Sequence, residues 1–318
     1  MKKLLFVLAL FLSVNSFAFA AKRIVVAHDG SGDFKTVQQA IDAVADNSTA
    51  RTEIFVKKGT YKERITVPGA KININLIGED PLNTILTFDN YAARLDSTGK
   101  ALGTSRTASF YIYGAGFSAK NITFQNSAGP VGQAVAVYVA ADEVSFFFCR
   151  FLGFQDTLYT IGKGSRQYYK SCYIEGTTDF IFGAATALFE DCDIFCKRGG
   201  AYVTAASTLD TTKYGYVLMR CKIHGEAPDT SFALGRPWRP YAKTVYLYCN
   251  LGQLIKASGW SNWHGTESDK TAYYAEYKNT GPGFVPEKRV AWSHQLTDSE
   301  AKAYTTELVL NGWIPKMP

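Results

Sequence analysis

Short runs of aromatic and β-branched residues recur through the middle of the chain: VSFFF (144–148), RQYYK (166–170), ALFED (187–191), GYVLM (215–219) and TVYLY (244–248). Each is the length of one strand, and none continues into a ten-residue stretch of helical period, which argues against a βα solenoid or a doubly wound sheet. Within a residue or two of each run comes the same mark, a cysteine, any residue, then an apolar residue: CRFLGF from Cys149, CYIEGT from Cys172, CDIFCK from Cys192, CKIHGE from Cys221 and CNLGQL from Cys249. NITFQN fits the frame with Asn121 in the cysteine's place, and the spacings from 121 onward are 28, 23, 20, 29 and 28 residues. A strand-bearing repeat of twenty-odd residues cannot cover its own apolar face and must stack on its neighbours. The pattern therefore predicts an all-β, single-stranded, right-handed parallel β-helix, with a β-sandwich as the competing architecture.

The ends of the solenoid need covers, because an open coil exposes unpaired strand edges. In FKTVQQAIDAV (34–44), Val37, Ile41 and Val44 fall on one face of a short helix suited to cap the first coil. Thr297-Asp-Ser-Glu300 is a capping box that predicts a second short helix through Leu308. Residues 1–20 read as a secretory signal peptide: Lys2 and Lys3, an apolar run from Leu4 to Leu12, and the small-x-small site Ala18-Phe19-Ala20. That run is too short to span a membrane. Residues 21–318 are expected to form one catalytic domain, and the protein to be secreted and extracellular.

Charge and cysteines narrow the function classes. The formal charge of +6 falls to +4 without Lys2 and Lys3, and no Lys/Arg block suggests nucleic acid. Cys192 and Cys196 have only His224 as a histidine between residues 29 and 263, so a zinc site is not expected and no metal is called for.

The register then points to chemistry. Asp156 lies seven residues after Cys149, and Asp179 seven after Cys172. If the marks stack, so do the carboxylates, about 4.8 Å apart on consecutive coils. Two such groups cannot both ionise cheaply, so one should hold a proton near neutrality. Gln155 and Gln133 supply uncharged amide donors suited to an oxyanion. Gly235-Arg236-Pro237-Trp238 supplies a guanidinium that can hold one carboxylate ionised and an indole that can stack on a sugar. Tyr159 and Phe180 flank the two aspartates as groove candidates.

At these residues the chain resembles the pectinesterase (pectin methylesterase) family, in GDFKTVQQAID, GTYKERI, NITFQNSAG, QAVAVYV, GFQDTLYT, RQYYKSCYIEGTTDFIFG, GRPW and SGWSNWHG. The resemblance implies hydrolysis of galacturonosyl methyl esters in pectin, with release of methanol and no cofactor. It implies Asp179 as nucleophile, Asp156 as general acid and then base, Gln133 and Gln155 as oxyanion donors, and Arg236 and Trp238 at the substrate. Thr104, in GTSRTAS, matches a substrate-contacting threonine less closely. A disulfide between Cys172 and Cys192 is also implied. The expected partner is methyl-esterified homogalacturonan, with an inhibitor protein as a further partner; a monomer is expected, and neither nucleic acid nor membrane. IGKGS (161–165) lengthens the loop between the two aspartates relative to the family's plant pattern. Two readings compete: a retaining glycoside hydrolase, which also uses paired carboxylates, and a catalytically silent wall-binding β-helix. Asn47-Ser-Thr and Asn121-Ile-Thr are glycosylation sequons, the second in a predicted strand.

Overall fold

The computed structural model describes residues 23–318, so the signal-peptide reading lies outside the described residues. The strands run in three sheets of eleven, eight and seven strands, and every pairing between named strands is parallel. The chain cycles through the sheets, as in Arg166–Lys170, Tyr173–Gly176 and Thr178–Gly183, and then returns one coil further along with Thr186–Glu190. This is the parallel β-helix that the repeat required. Among the described residues no helix is long and apolar enough to cross a membrane.

The repeated geometry of the coils explains the cysteine marks. Before each lies a residue in the left-handed region: Phe148 (φ 53°), Ser171 (51°), Asp191 (52°), Arg220 (53°) and Tyr248 (56°). That single residue turns the chain between the eleven- and eight-stranded sheets and points the next side chain inward. The turn costs a non-glycine residue of order 1 kcal/mol. It is held by ladder bonds on both sides, such as Ser171 N–H to Glu190 C=O (2.9 Å) and Tyr173 N–H to Cys149 C=O (2.9 Å). Asn121 (φ 55°) is the turning residue of its own coil, so Ile122, not Asn121, stands in line with Cys149; the expected frame is one residue out. Asn121 is consequently half-buried at a corner between strands rather than inside one, and Asn47 is exposed in a turn.

In the structure all six cysteines are buried free thiols, Cys172 and Cys192 among them, where the family resemblance implies a disulfide. Stacked in register, their side chains run parallel, and the thiols find backbone acceptors. Cys172 Sγ reaches Phe146 O (3.5 Å) and Lys170 O (3.4 Å), while Cys192 Sγ reaches Tyr169 O (3.3 Å) and Glu190 O (3.5 Å). They fill the corner as small apolar groups.

The core runs lengthwise inside the coils. Phe146, Tyr169 and Phe189 occupy one register position on consecutive coils and stack with centroids 5.0 and 4.5 Å apart. Each buried ring of this kind contributes about 1.5–3 kcal/mol by leaving water. Helix Val37–Asp42 covers the first coil with Val37, Ala40 and Ile41, and Thr36 Oγ1 caps it by accepting from Gln39 N–H (3.3 Å).

The C-terminal helix differs from the expectation in two ways. The capping box at Thr297 forms, but the helix it opens ends at Ala301, and a second begins at Thr306 with Thr305 as its own cap. The break is stabilised by Tyr214, whose hydroxyl donates to Ala303 O (2.8 Å) and whose ring packs edge-on against Tyr304. These helices lie on the outer face of the eleven-stranded sheet, where Val309 and Leu310 pack with Val217, Met219 and Leu247. The last coils are closed instead by Trp260, Phe284 and Trp292.

Candidate active site

The seven-stranded sheet carries the site on its outer face. Leu158 pairs with Ile181, which places Asp156 and Asp179, two residues earlier on each coil, side by side. Both adopt positive φ (65° and 52°), and Asp156 N–H donates to Thr178 O (3.1 Å). An aspartate tolerates this conformation better than most side chains. The strand holding Asp179 also slips register between Thr178 and Ile181 against its next neighbour. Both carboxylates are nearly covered, with residue exposures of 7% and 5%.

The irregularity at Asp179 sets the direction of the side chains after it. Phe180 and Ile181 are both fully buried in the lengthwise core, and the next outward side chain is Phe182. Phe180, expected to line the groove, does not; it packs over Gly176, where there is no side chain to obstruct it. Phe182 takes its place, lying flat on Tyr159 with centroids 4.1 Å apart.

Two strands further along the same sheet, Arg236 follows the strand Ala233–Gly235 and turns back to Asp179. Its Nε donates to Oδ1 (3.0 Å) and its Nη2 to Oδ2 (2.6 Å), a forked charge-assisted pair. The guanidinium lies between the rings of Tyr202 and Trp263, 4.0 Å from each centroid. Stacking on both faces leaves the plane of the fork little freedom.

The two aspartates therefore sit in different electrostatic surroundings. Burial raises the Asp179 carboxyl above the usual range, and the forked bond and charge of Arg236 offset that rise only in part. Asp156 is pushed well above that range by burial and by the neighbouring charge of Asp179, with only the more distant pull of Arg236 against it. The geometry separates the pair into a carboxylate and a carboxylic acid. Tyr159, pushed up to about 12 chiefly by burial, stays neutral beside them.

The aspartates and Arg236 form the floor of a cavity of about 480 Å³, and Gln133, Gln155 and Thr104 stand in its wall. Gln133 and Gln155 are on consecutive coils, joined by Ala134 N–H to Gln155 O (3.1 Å). A loop from Tyr91 to Arg106 brings Thr104 to the wall; its Ala92 N–H donates to Gln133 O (2.9 Å). Trp238 stands across from Tyr159, ring centroids 6.3 Å apart. Every expected site residue but Phe180 thus lines one cavity. Phe182, Trp263 and Ser105 line it too without having been expected, and Tyr202 lies beneath Arg236. Phe182 has a signal in the sequence, since Tyr159 and Phe182 both lie ten residues after their cysteine marks. Among the described residues no group of three or more His, Cys, Asp or Glu side chains is placed to hold a metal ion.

A β-helix with paired aspartates, one forked by arginine, in an amide- and indole-lined groove has the makings of an acyl-transfer hydrolase acting on a polymer. The sequence profile of the pectinesterase family matches residues 23–312. Pectinesterase 31 of Arabidopsis thaliana is 43% identical over 282 residues, covering 87% of this chain and 88% of that one. A probable pectinesterase/pectinesterase inhibitor of Brassica napus is 38% identical, and the match spans 85% of this chain but 47% of that longer protein. Among solved structures, pectin methylesterase from carrot superposes with a TM-score of 0.84 at 36% identity, covering 91% of this chain and 93% of that one. An aspartate-to-alanine mutant of a pectin methylesterase in complex with a hexasaccharide superposes with 0.81 at 31% identity, covering 94% of this chain and all of the other. The chain belongs to the pectinesterase family, and its activity is that of a pectin methylesterase.

Proposed function

We propose that this chain hydrolyses galacturonosyl methyl esters of homogalacturonan by nucleophilic attack of Asp179. The unequal surroundings of the two aspartates carry the reading: Asp179 alone is forked by Arg236 and so is the carboxylate, while Asp156 is the acid. An Asp179 oxygen attacks the C6 carbonyl carbon, and the developing oxyanion accepts hydrogen bonds from the Gln133 and Gln155 amides. As the C–O bond to methoxide breaks, Asp156 donates its proton and methanol leaves. The acyl-enzyme is an anhydride between Asp179 and the uronate. Asp156, now ionised, takes a proton from water, whose oxygen attacks the uronate carbonyl and releases Asp179 as carboxylate. Thr104, Tyr159 and Trp238 position the sugars.

The cycle needs Asp179 ionised and Asp156 protonated, so activity is confined to a pH window. Loss on the acid side follows protonation of Asp179, and loss on the alkaline side follows ionisation of Asp156, the two titrating as a coupled pair. The glycosidase alternative uses the carboxylates but leaves both glutamines idle, and it would produce new reducing ends in place of methanol. The sequence leader supports secretion to where the polymer is, one family match over residues 23–312 supports a single catalytic domain, and inhibitor segments in relatives' names support an inhibitor protein as a partner. The test is Asp179→Asn, assayed for methanol release from methylated pectin with circular dichroism as a folding control. Activity should fall at least about 10³-fold in a folded protein; a folded variant with substantial turnover refutes the assignment.

A further inference from the structure

The stretch that carries Gln133 has no strand of its own. Residues 127–136 lie between the strands Thr123–Asn126 and Val137–Val139, with Gly129 and Gly132 at positive φ (85° and 96°). Individual hydrogen bonds, not a continuous ladder, therefore set the place of Gln133. Several of them converge on Asn126, which is 3% exposed and ends the first of those strands. Its Nδ2 faces three carbonyls, Asn90 O (2.9 Å), Val135 O (3.0 Å) and Thr107 O (3.2 Å), and its Oδ1 accepts from Ala128 N–H (3.0 Å). Asn90 and Thr107 are the two feet of the loop whose Ala92 N–H donates to Gln133 O, and Val135 lies two residues beyond Gln133. Thr107, fully buried, closes the arrangement: its Oγ1 accepts from Val135 N–H (3.0 Å) and donates to Thr104 O (2.8 Å).

We infer that Asn126 is a positioning residue for the reaction, with Thr107 as its partner, and that it acts by fixing the oxyanion donor Gln133. The inference rests on the reading of Gln133 as that donor. Gln133 is gripped from both sides, by Ala92 at its own carbonyl and by Asn126 and Thr107 at Val135, while the Asn126 amide ties the feet of the Ala92 loop to the same point. The chemistry of the amide suits the place. A carboxylate there would face three carbonyl oxygens, and an apolar side chain would leave the Asn90 and Thr107 carbonyls without that donor. Ser109 N–H donates to the same Val135 O (3.1 Å) and Ala136 N–H to Thr157 O (2.8 Å), so the stretch without Asn126 is loosened and stays attached. The oxyanion forms only as the ester is attacked, so a displaced Gln133 lowers kcat and spares KM. A shift of about 1 Å suffices for a loss of about 10²-fold.

The test is a double-mutant cycle on the full chain, with kcat and KM for methanol release from methylated pectin and thermal melting as the folding control. Gln133→Ala should lower kcat about 10²-fold, the usual cost of losing one oxyanion donor. Asn126→Ala should lower kcat about 10–100-fold with KM within about twofold of the unaltered chain. The double variant should be no slower than Gln133→Ala alone, because the group that Asn126 positions is already gone. A purely structural role for Asn126 predicts instead that the two losses multiply. Thr107→Val keeps the shape and loses the hydroxyl, and Thr107→Ser, which keeps the hydroxyl, should restore most of kcat. If Asn126→Ala does not fold, Thr107→Val in the Gln133→Ala background reads the same cycle. Multiplying losses, a loss carried by KM in Asn126→Ala, or an unchanged kcat in that folded variant overturns the positioning role. An unchanged kcat in Gln133→Ala overturns the oxyanion reading itself, and the inference with it.

Discussion

Replacing Asp156 by asparagine should stabilise the fold at high pH while abolishing catalysis. The Asp156 residue is 7% exposed, its carboxyl accepts no hydrogen bond from another described residue, and it adjoins a carboxylate that Arg236 keeps ionised. Its folded pKa is raised well above the unfolded value by burial and by Asp179. A carboxyl shifted in that direction contributes its stabilisation when protonated, and the contribution is lost as pH rises through the folded pKa. Above that point the native protein bears a nearly buried charge without a partner, at a cost of about 1–3 kcal/mol. Asparagine has nearly the same shape and cannot ionise. At roughly 2–4 °C per kcal/mol, Asp156→Asn should melt about 2–12 °C higher at alkaline pH. Below the unfolded pKa of about 3.9 the two proteins should melt together. Methanol release should meanwhile fall about 10²–10⁴-fold, the usual contribution of a general acid. Thermal melts of both proteins across the pH range, with a methanol assay at each point, make the test. A melting difference that does not change with pH, or an active variant, would refute the charge assignment.

Arg236→Lys keeps the charge but loses the fork and the double stacking, so Asp179 protonates more readily. The acid limb of the activity profile should move to higher pH, with kcat/KM down about 10–100-fold on that side; an unmoved limb would count against Arg236 as the group that holds Asp179 ionised. Gly176→Ala places a methyl carbon 2.2 Å from Phe180 Cβ and 2.6 Å from Phe154 O. It should cost about 1–3 kcal/mol in denaturant titration and lower activity by shifting the residue next to Asp179. Outside the cavity lining, Arg289 and Glu276 form a forked pair with side-chain exposures of 3% and 0%. Glu276→Gln leaves the guanidinium partly unmatched and should destabilise by about 3–5 kcal/mol with kcat unchanged in whatever remains folded.

The features legible in the sequence are those fixed by counting. Five successive coils return to a cysteine after one turning residue, so equal offsets such as the seven residues to Asp156 and Asp179 translate directly into neighbours in space. Features set by departures from regularity are not legible. The left-handed residue at Asp179 breaks the inside–outside alternation, which puts Phe180 in the core and Phe182 in the groove. Asn121 has the cysteine's spacing but the turning residue's conformation, a difference that only φ reveals. Tyr202 and Trp263 meet Arg236 from segments on either side of it in sequence, and no local pattern announces such a sandwich.

The corner of left-handed residues running from Phe148 to Tyr248 has an evolutionary corollary. Its occupants are as unlike as phenylalanine, serine, aspartate, arginine and tyrosine, while the spacing between the successive corner cysteines Cys149, Cys172, Cys192, Cys221 and Cys249 ranges from 20 to 29 residues. Length variation is therefore absorbed elsewhere around each coil, in excursions such as 197–201 and 207–213 that leave the corner and the strand ladders in phase. The corner acts as a ratchet that resets every coil before the chain reaches the carboxylates. Loops can be grafted, lengthened or exchanged around the groove, and substrate preference rewritten, while the reacting pair keeps its alignment.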